Sequence, residues 1–326
     1  MFMKTYVGID VAKDSLAVAF PKSDSSWKAA SFPNSPVGIR SLISFLPSEA
    51  HCVVEATGSY SMLVAYMLSQ AEITLSVINP KQSHHFAKMR LSVTKTDESD
   101  AVLLARYGQM TQPAIYHIVS DALLRLRQKR TLLRQYKKQY QAMRNVEHSF
   151  SSLPVKDKSA QTSLRHILNE LEAAIKNLMV EIEELTKADF NQEFVRLNSV
   201  VGISTAIATA LIEVSGGFRH FHSAKALSKF IGVAPIIYQS GKLNSVKGIC
   251  KTGDAQLRSM LNVASWSAIQ HNKSCRELYH RLKAAGKASK VALIAVVNKL
   301  LRQAFAVVKF DQNFDPNYKP VFRAYP

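Results

Sequence analysis

The sequence predicts an α/β domain over residues 1–110, a long helical hairpin over 111–195 and a compact helical domain over 196–326. Three observations carry this. Short apolar, strand-like runs alternate with amphipathic stretches in the first third. Leucine and isoleucine repeat at heptad spacing in the middle. The last third is apolar at helical spacing and holds most of the positive charge. A chain of 326 residues has room for two or three domains and a proper core.

In the first third, Tyr6 to Val11 and Ser15 to Phe20 are apolar strands joined at the Asp14 turn, and Trp27 to Phe32 is a weaker third strand. Ser35-Pro36-Val37-Gly38-Ile39 opens a helix whose apolar face is Leu42, Ile43, Phe45 and Leu46. His51 to Ala56 is a buried-looking strand, Ser61 to Gln70 a helix, and Thr74 to Ile78 a strand stopped by Asn79-Pro80. Three strands in hairpin order, followed by helix, strand, helix and strand, is the element order of a ribonuclease H-like fold.

The middle third predicts two helices. Leu126, Leu133 and Tyr140 recur every seven residues. Beyond a polar break containing Pro154, a second repeat runs Leu164, Leu168, Leu171, Ile175, Leu178, Ile182, Leu185. Three heptads of this kind predict a coiled-coil seam. The first helix is basic, with Arg127, Arg130 and Arg134 among its cations, and the second is acidic. Opposite charge suits an antiparallel hairpin, and pairing between chains is equally compatible. The basic face is either a solvated spacer or a nucleic-acid contact. In the last third, Val200 to Ala206 followed by Ile207 to Val214 reads as a helix-hairpin-helix, in which Gly202 and Ser204 would present backbone N–H groups to a phosphate. A Gly-Ile turn before an apolar helix is also ordinary packing.

Charge narrows the partner. The chain carries 42 basic and 24 acidic residues, a net of +18, with a pI near 9.8. Such a balance favours a polyanion, nucleic acid or a membrane surface. No basic amphipathic anchor is in view, and the most apolar stretch, Val291 to Val308, is interrupted by Asn298, Lys299 and Arg302, so nucleic acid is expected and a membrane is not. The N-terminus lacks a signal-peptide pattern. Three cysteines without metal spacing argue against a disulfide framework and a zinc cluster, and fit a reducing cytoplasm. Residues 1–110 hold 10 basic and 9 acidic side chains, whereas residues 196–326 hold 19 and 5.

Four acids in the first third sit where packing does not require them. Asp10 lies in the first strand and Glu55 ends the fourth, each in an uncharged run. Asp97 and Asp100, three apart, share one face at the start of a helix through Leu103, Leu104 and Tyr107. In a ribonuclease H-like sheet the two strands are neighbours, so the carboxylates converge. Like charges at one place need cations, and oxygen-only ligands suit Mg²⁺ or Mn²⁺, two of which could serve the attacking and leaving oxygens of a phosphoryl transfer. Singly, each acid reads as a turn or helix-cap residue. An actin-like kinase also ends its first strand in Gly-Ile-Asp, but needs small phosphate-cradling residues where Val11-Ala12-Lys13 stand.

Between Pro235 and Ile249, Ser240 is flanked by Gln239 and Gly241, with Lys242, Lys247, Lys251 and Arg258 close in sequence. A Ser-Gly pair alone reads as a turn. A serine in a cationic loop could equally attack a DNA phosphate.

The chain resembles insertion-sequence transposases of the DEDD type, the group that includes the Piv-like DNA invertases and the bridge-RNA-guided recombinases. The resemblance rests on Gly8 to Lys13, Glu55-Ala56-Thr57-Gly58, Val77 to Pro80, Lys95 to Ala101, and the block from Tyr238-Gln239-Ser240-Gly241 to Lys251-Thr252-Gly253. It implies a RuvC-like domain with Asp10, Glu55, Asp97 and Asp100 as metal-binding catalytic acids, a coiled-coil linker, and a transposase domain with Ser240 as nucleophile. It further implies double-stranded donor and target DNA, a guide RNA encoded elsewhere, a homo-oligomer (dimer or tetramer) and a cytoplasmic, nucleoid-associated place in a bacterium. A metal-dependent nuclease or junction resolvase using water, and a non-catalytic nucleic-acid-binding protein, are the alternatives.

Overall fold

The computed structural model describes residues 5–22, 26–91, 96–219, 221–240, 243–251 and 253–318, with residues 237–240 and 243–247 described by their backbone only. The chain divides into two compact units, residues 1–119 and 120–326.

The first unit is a five-stranded mixed sheet between two pairs of helices. Its strands are β1 (Thr5–Val11), β2 (Ser15–Pro21), β3 (Trp27–Pro33), β4 (Ala50–Glu55) and β5 (Thr74–Ile78), in the spatial order β3-β2-β1-β4-β5. β1 is antiparallel to β2 and parallel to β4, and the register pairs Asp10 with Ala17 and Ile9 with Val54. The helices are α1 (Pro36–Phe45), α2 (Tyr60–Gln70), α3 (Pro80–Met89) and α4 (Asp97–Thr111).

Strand alternation sorts the side chains between the two faces. Val7, Ile9 and Val11 point to one face, where they pack with Ile39 and Leu42 of α1 and Val64 and Leu68 of α2. Tyr6 and Val53 point to the other, where they meet Phe86 of α3 and Leu104 and Tyr107 of α4. Asp10 and Glu55 lie in step with Tyr6 and Val53, so both belong to the α3/α4 face.

Helix α3 is absent from the sequence expectation, which ended β5 at Asn79-Pro80. Those residues stop the strand and start the helix. Asn79 caps it, accepting from Lys81 N at 2.9 Å, while the Gln82 side chain accepts from Asn79 N at 3.0 Å, and Pro80 occupies the first turn.

The second unit opens with α5 (Asp121–Ser151) and α6 (Lys158–Ser199), which pack along each other within one chain as a hairpin. Leu168, Leu178 and Ile182 of the predicted seam are buried. The opposite charges meet as expected: Lys129 bonds Glu181, and Arg144 faces Glu172. Helices α7 (Thr205–Ser215), α8 (Ala224–Ile231), α9 (Ala255–His271), α10 (Lys273–Ala284) and α11 (Ser289–Lys309) follow. Among the described residues, α11 is the one helix long and apolar enough to cross a membrane; here Val296, Val297, Leu300, Leu301 and Ala304 are buried as it packs against α9 and α10.

One expectation for this unit needs correction. The segment read as a cationic loop between helices is a pair of antiparallel strands, β6 (Pro235–Ser240) and β7 (Leu243–Ile249). Ile236-Ile237-Tyr238 and Val246 supply β-branched and aromatic strand formers, and residues 241–242 between the strands lie outside the description.

Candidate active site

Gly8 decides how the acids of the first unit meet. It stands two residues before Asp10 on the same strand face, and a Cβ there would overlap the backbone of Ala101 and Ala105 in α4. A Cβ at Gly108 would likewise fall 2.5 Å from the Tyr6 ring and 2.7 Å from Val53. Small residues at 8, 101, 105 and 108 therefore let α4 lie directly on β1, its backbone against the strand. Gly108 is over Tyr6 and Ala101 over Gly8, so the helix runs opposite to the strand and its first turn overhangs Asp10.

That first turn holds Asp97 and Asp100. Neither is the helix cap. Thr96 is, its Oγ1 accepting from Ser99 N at 3.1 Å while Ser99 Oγ accepts from Thr96 N at 2.9 Å. The carboxylates gain from the positive helix end but are not required to close it. Glu55 ends β4, one residue beyond Val54, which pairs with Ile9; it is thus level with Asp10 on the neighbouring strand. Its Oε2 lies 2.5 Å from the hydroxyl of Ser83, a buried residue of α3. Ser83 escaped the sequence reading because α3 itself did.

The electrostatics report the same convergence. The half-buried Asp10 carboxyl is pushed up from an ordinary 3.8 to about 6, first by burial and then by repulsion from Asp100, Asp97 and Glu55, against a lowering hydrogen bond from the Val11 backbone. Four acids from β1, β4 and α4 share one field. Among the described residues, no three His, Cys, Asp or Glu side chains are arranged to hold a metal ion. The donor chemistry is that of a hard cation, all oxygen; closing on one ion requires the side chains to swing inward.

In the second unit, Ser240 ends β6, opposite Leu243 of β7. The side chains of Ser240 and Lys247, and Lys242 entirely, lie outside the described residues. The base of this hairpin is held by close backbone approach. Gly232, at φ +84°, and Gly253 each stand where a Cβ would overlap backbone, of Cys250 and of Phe230-Ile231 respectively. Arg258 Nη1 donates to Ile231 O at 3.0 Å and Asn298 Nδ2 to Val233 O at 3.1 Å. Arg258, expected to face nucleic acid, is engaged with the chain itself, while Lys251 beside it is exposed.

Two transposase family models match the chain: the DEDD-type IS110 model, described as "Transposase", over residues 7–152, and "Transposase IS116/IS110/IS902 family" over residues 195–280. The chain belongs to the IS110 family of transposases. It is 29% identical over 324 residues to the pilin gene-inverting proteins of Moraxella lacunata and Moraxella bovis, covering 96% of this chain and 98% of each relative. It is also 31% identical over 108 residues to a transposase for the insertion sequence element IS1111A from Coxiella burnetii, covering 33% of this chain and 29% of that one. This IS110-family protein is a DNA recombinase or transposase, and DNA is its partner.

The remaining expected contacts of this transposase fall within the second unit. Arg127 Nε donates to Glu213 Oε1 of α7 at 3.2 Å, and Arg130, with 13% of its side chain exposed, pairs with the same carboxylate. These two cations join the hairpin to α7, whereas Arg134 is exposed. Gly202, at φ +105°, makes the turn before α7, where a Cβ would meet Ala268 at 2.9 Å. Ser204 is the N-cap of α7 with no side-chain capping bond, and both residues line a cleft of about 560 Å³ shared with Ser259 and Ser267 of α9.

Proposed function

We propose that this transposase cuts and rejoins DNA through a phosphoserine ester, with Ser240 as nucleophile and Asp10, Glu55, Asp97 and Asp100 holding Mg²⁺ or Mn²⁺. The observation that carries the reading is the convergence of four carboxylates on one sheet face, where burial and then repulsion from the other three push the Asp10 carboxyl up to about 6. The strand order and the parallel β1–β4 pair support a ribonuclease H-like domain over residues 1–110, followed by a coiled-coil linker (111–195) and a transposase domain (196–326).

Divalent metal, when bound, lowers the charge of the scissile phosphate and stabilises the departing oxygen. The residues do the rest. Asp10 and Glu55 are fixed by adjacent strands, and Asp97 and Asp100 by the α4–β1 packing, so the ligands arrive from a rigid frame. Ser240 Oγ forms a bond to phosphorus as the bond to a deoxyribose oxygen breaks, and the proton leaving the serine is balanced by the proton gained by the departing sugar hydroxyl. Attack of a second sugar hydroxyl on the ester reverses the exchange and frees the serine. The ester conserves the bond energy, so rejoining needs no nucleotide cofactor. Lys242, Lys247 and Lys251 offset phosphate charge. A guide RNA, a homo-oligomer (dimer or tetramer) and a cytoplasmic, nucleoid-associated site of action complete the proposal and rest on the family.

Trapping tests it. With Mg²⁺ and cognate DNA, wild-type protein is expected to form a covalent adduct stable to denaturant, and Ser240→Ala to form none. An adduct in Ser240→Ala refutes the nucleophile. Metal-dependent cleavage by Ser240→Ala without any adduct points instead to water.

A further inference from the structure

We propose that the outer face of α3 is a DNA-backbone rail, seating the strand that enters the carboxylate site. The proposal rests on the reading that Asp10, Glu55, Asp97 and Asp100 act on a DNA phosphate.

Helix α3 is two-faced. Its inner face holds Ser83 and Phe86, both buried; Ser83 touches Glu55, and Phe86 meets Tyr107 edge-on at 5.3 Å between ring centres. Its other face carries Lys81, His84, His85 and Lys88, all exposed, at i, i+3, i+4 and i+7. That spacing makes one continuous stripe. The helix contains no acid, and among the described residues neither lysine is in an ion pair.

A cationic stripe has no packing role on an exposed helix face. Its position gives it one. The helix that carries it is tied through Ser83 to a carboxylate of the site, so the stripe flanks a place where negative charge is concentrated. A polyanion approaching four carboxylates is repelled, and cations on the outer face of the helix that touches Glu55 can bind a strand's flanking phosphates. Two lysines seven residues apart, about 10 Å along the helix with two histidines between them, can bind backbone phosphates and orient a strand without reading its bases. DNA is favoured over RNA because the carboxylates beside the stripe act on DNA in this reading.

The experiment measures equilibrium binding of full-length protein to duplex DNA, between 50 and 200 mM salt, in an Asp10→Asn background that prevents turnover. Lys81→Gln/Lys88→Gln is expected to lower the salt slope by about 1.8, so that the effect of the two lysines shrinks about 12-fold across this salt range. Both positions are exposed, so circular dichroism and the melting profile are expected to stay unchanged. Lys28→Gln, an exposed cation on the edge strand β3, is the charge control. An unchanged slope in the double variant, or an equal loss per charge in Lys28→Gln, overturns the rail. A slope that falls for RNA but not for DNA assigns the stripe to RNA and overturns it too. Failure of the underlying reading looks different: wild-type protein with intact Asp10 then gives no metal-dependent strand cleavage at any salt.

Discussion

Asp10→Asn removes one charge from a crowded carboxylate group without changing its shape, so its effect on stability can be worked out. In the folded protein the Asp10 carboxyl titrates at about 6, against 3.8 ordinarily. A raised value means that ionisation opposes folding. The site contributes its full stability below pH 3.8, where the carboxyl is protonated folded or unfolded, and loses it as pH rises through about 6. The difference corresponds to at most about 3 kcal/mol. Asp10 is only half-buried, and solvent screening reduces this to about 1 kcal/mol. Asparagine never ionises. In EDTA, Asp10→Asn is therefore expected to be about 1 kcal/mol more stable than wild type at pH 8, and equal to it at pH 3.8.

The two tryptophans make the assay specific. Trp27 lies in the first unit and Trp266 in the second. In a Trp266→Phe background, urea unfolding followed by fluorescence reports the unit that holds Asp10. A gain of about 1 kcal/mol raises a melting midpoint in a unit of 119 residues by about 4 °C. Adding Mg²⁺ should reverse the ranking: at ten times its dissociation constant, the ion stabilises wild type by about 1.4 kcal/mol and the variant by less. If Asp10→Asn is destabilising in EDTA at pH 8, or its effect does not change between pH 8 and 3.8, the four acids do not share a field and the site is wrongly assembled.

Two further substitutions test the frame around the sites. Gly8→Ala drives a methyl group into the α4 backbone and is expected to cost about 3 kcal/mol, read by the same Trp27 fluorescence; because α4 must move away with Asp97 and Asp100, the gain from Asp10→Asn should shrink in its presence. Glu213→Gln leaves the poorly exposed Arg130 without its counter-charge and should cost about 2 kcal/mol, seen through Trp266 in a Trp27→Phe background and absent from the Trp27 signal.

The strands of the first unit were legible because each is a short apolar run ended by Asp, Asn, Pro or Gly, and a buried strand needs little more than that. The i, i+3 pair at Asp97 and Asp100 was legible for the same local reason. What escaped was relational. Helix α3 has a single large buried apolar residue, Phe86, so its periodicity is faint, and Asn79-Pro80 ends one element while starting the next. The β6–β7 pair was obscured by its polar residues, which suit a loop as well as a two-stranded sheet. Arg127 and Arg130 looked like any basic helix face, since the carboxylate that engages them lies more than 80 residues away. Gly8 could be seen as part of a motif but not explained, because the reason for it is the backbone of α4.

Residues 1–110 hold 10 basic and 9 acidic side chains, a near-balance in sum. The fold removes the balance by separating the charges. Four of the acids gather on the α3/α4 face at the ends of β1 and β4, where burial and then their mutual repulsion raise the Asp10 carboxyl. Without them the same residues stand at 10 basic against 5 acidic, and two of those bases, Lys81 and Lys88, line the exposed side of the helix whose inner side touches Glu55. A neutral total thus conceals adjacent regions of opposite sign. In the proposed reading such an arrangement suits a polyanion arriving with divalent cations. Charge summed along a segment cannot distinguish this from an inert surface, because the distinction lies in which side of α3 each residue occupies.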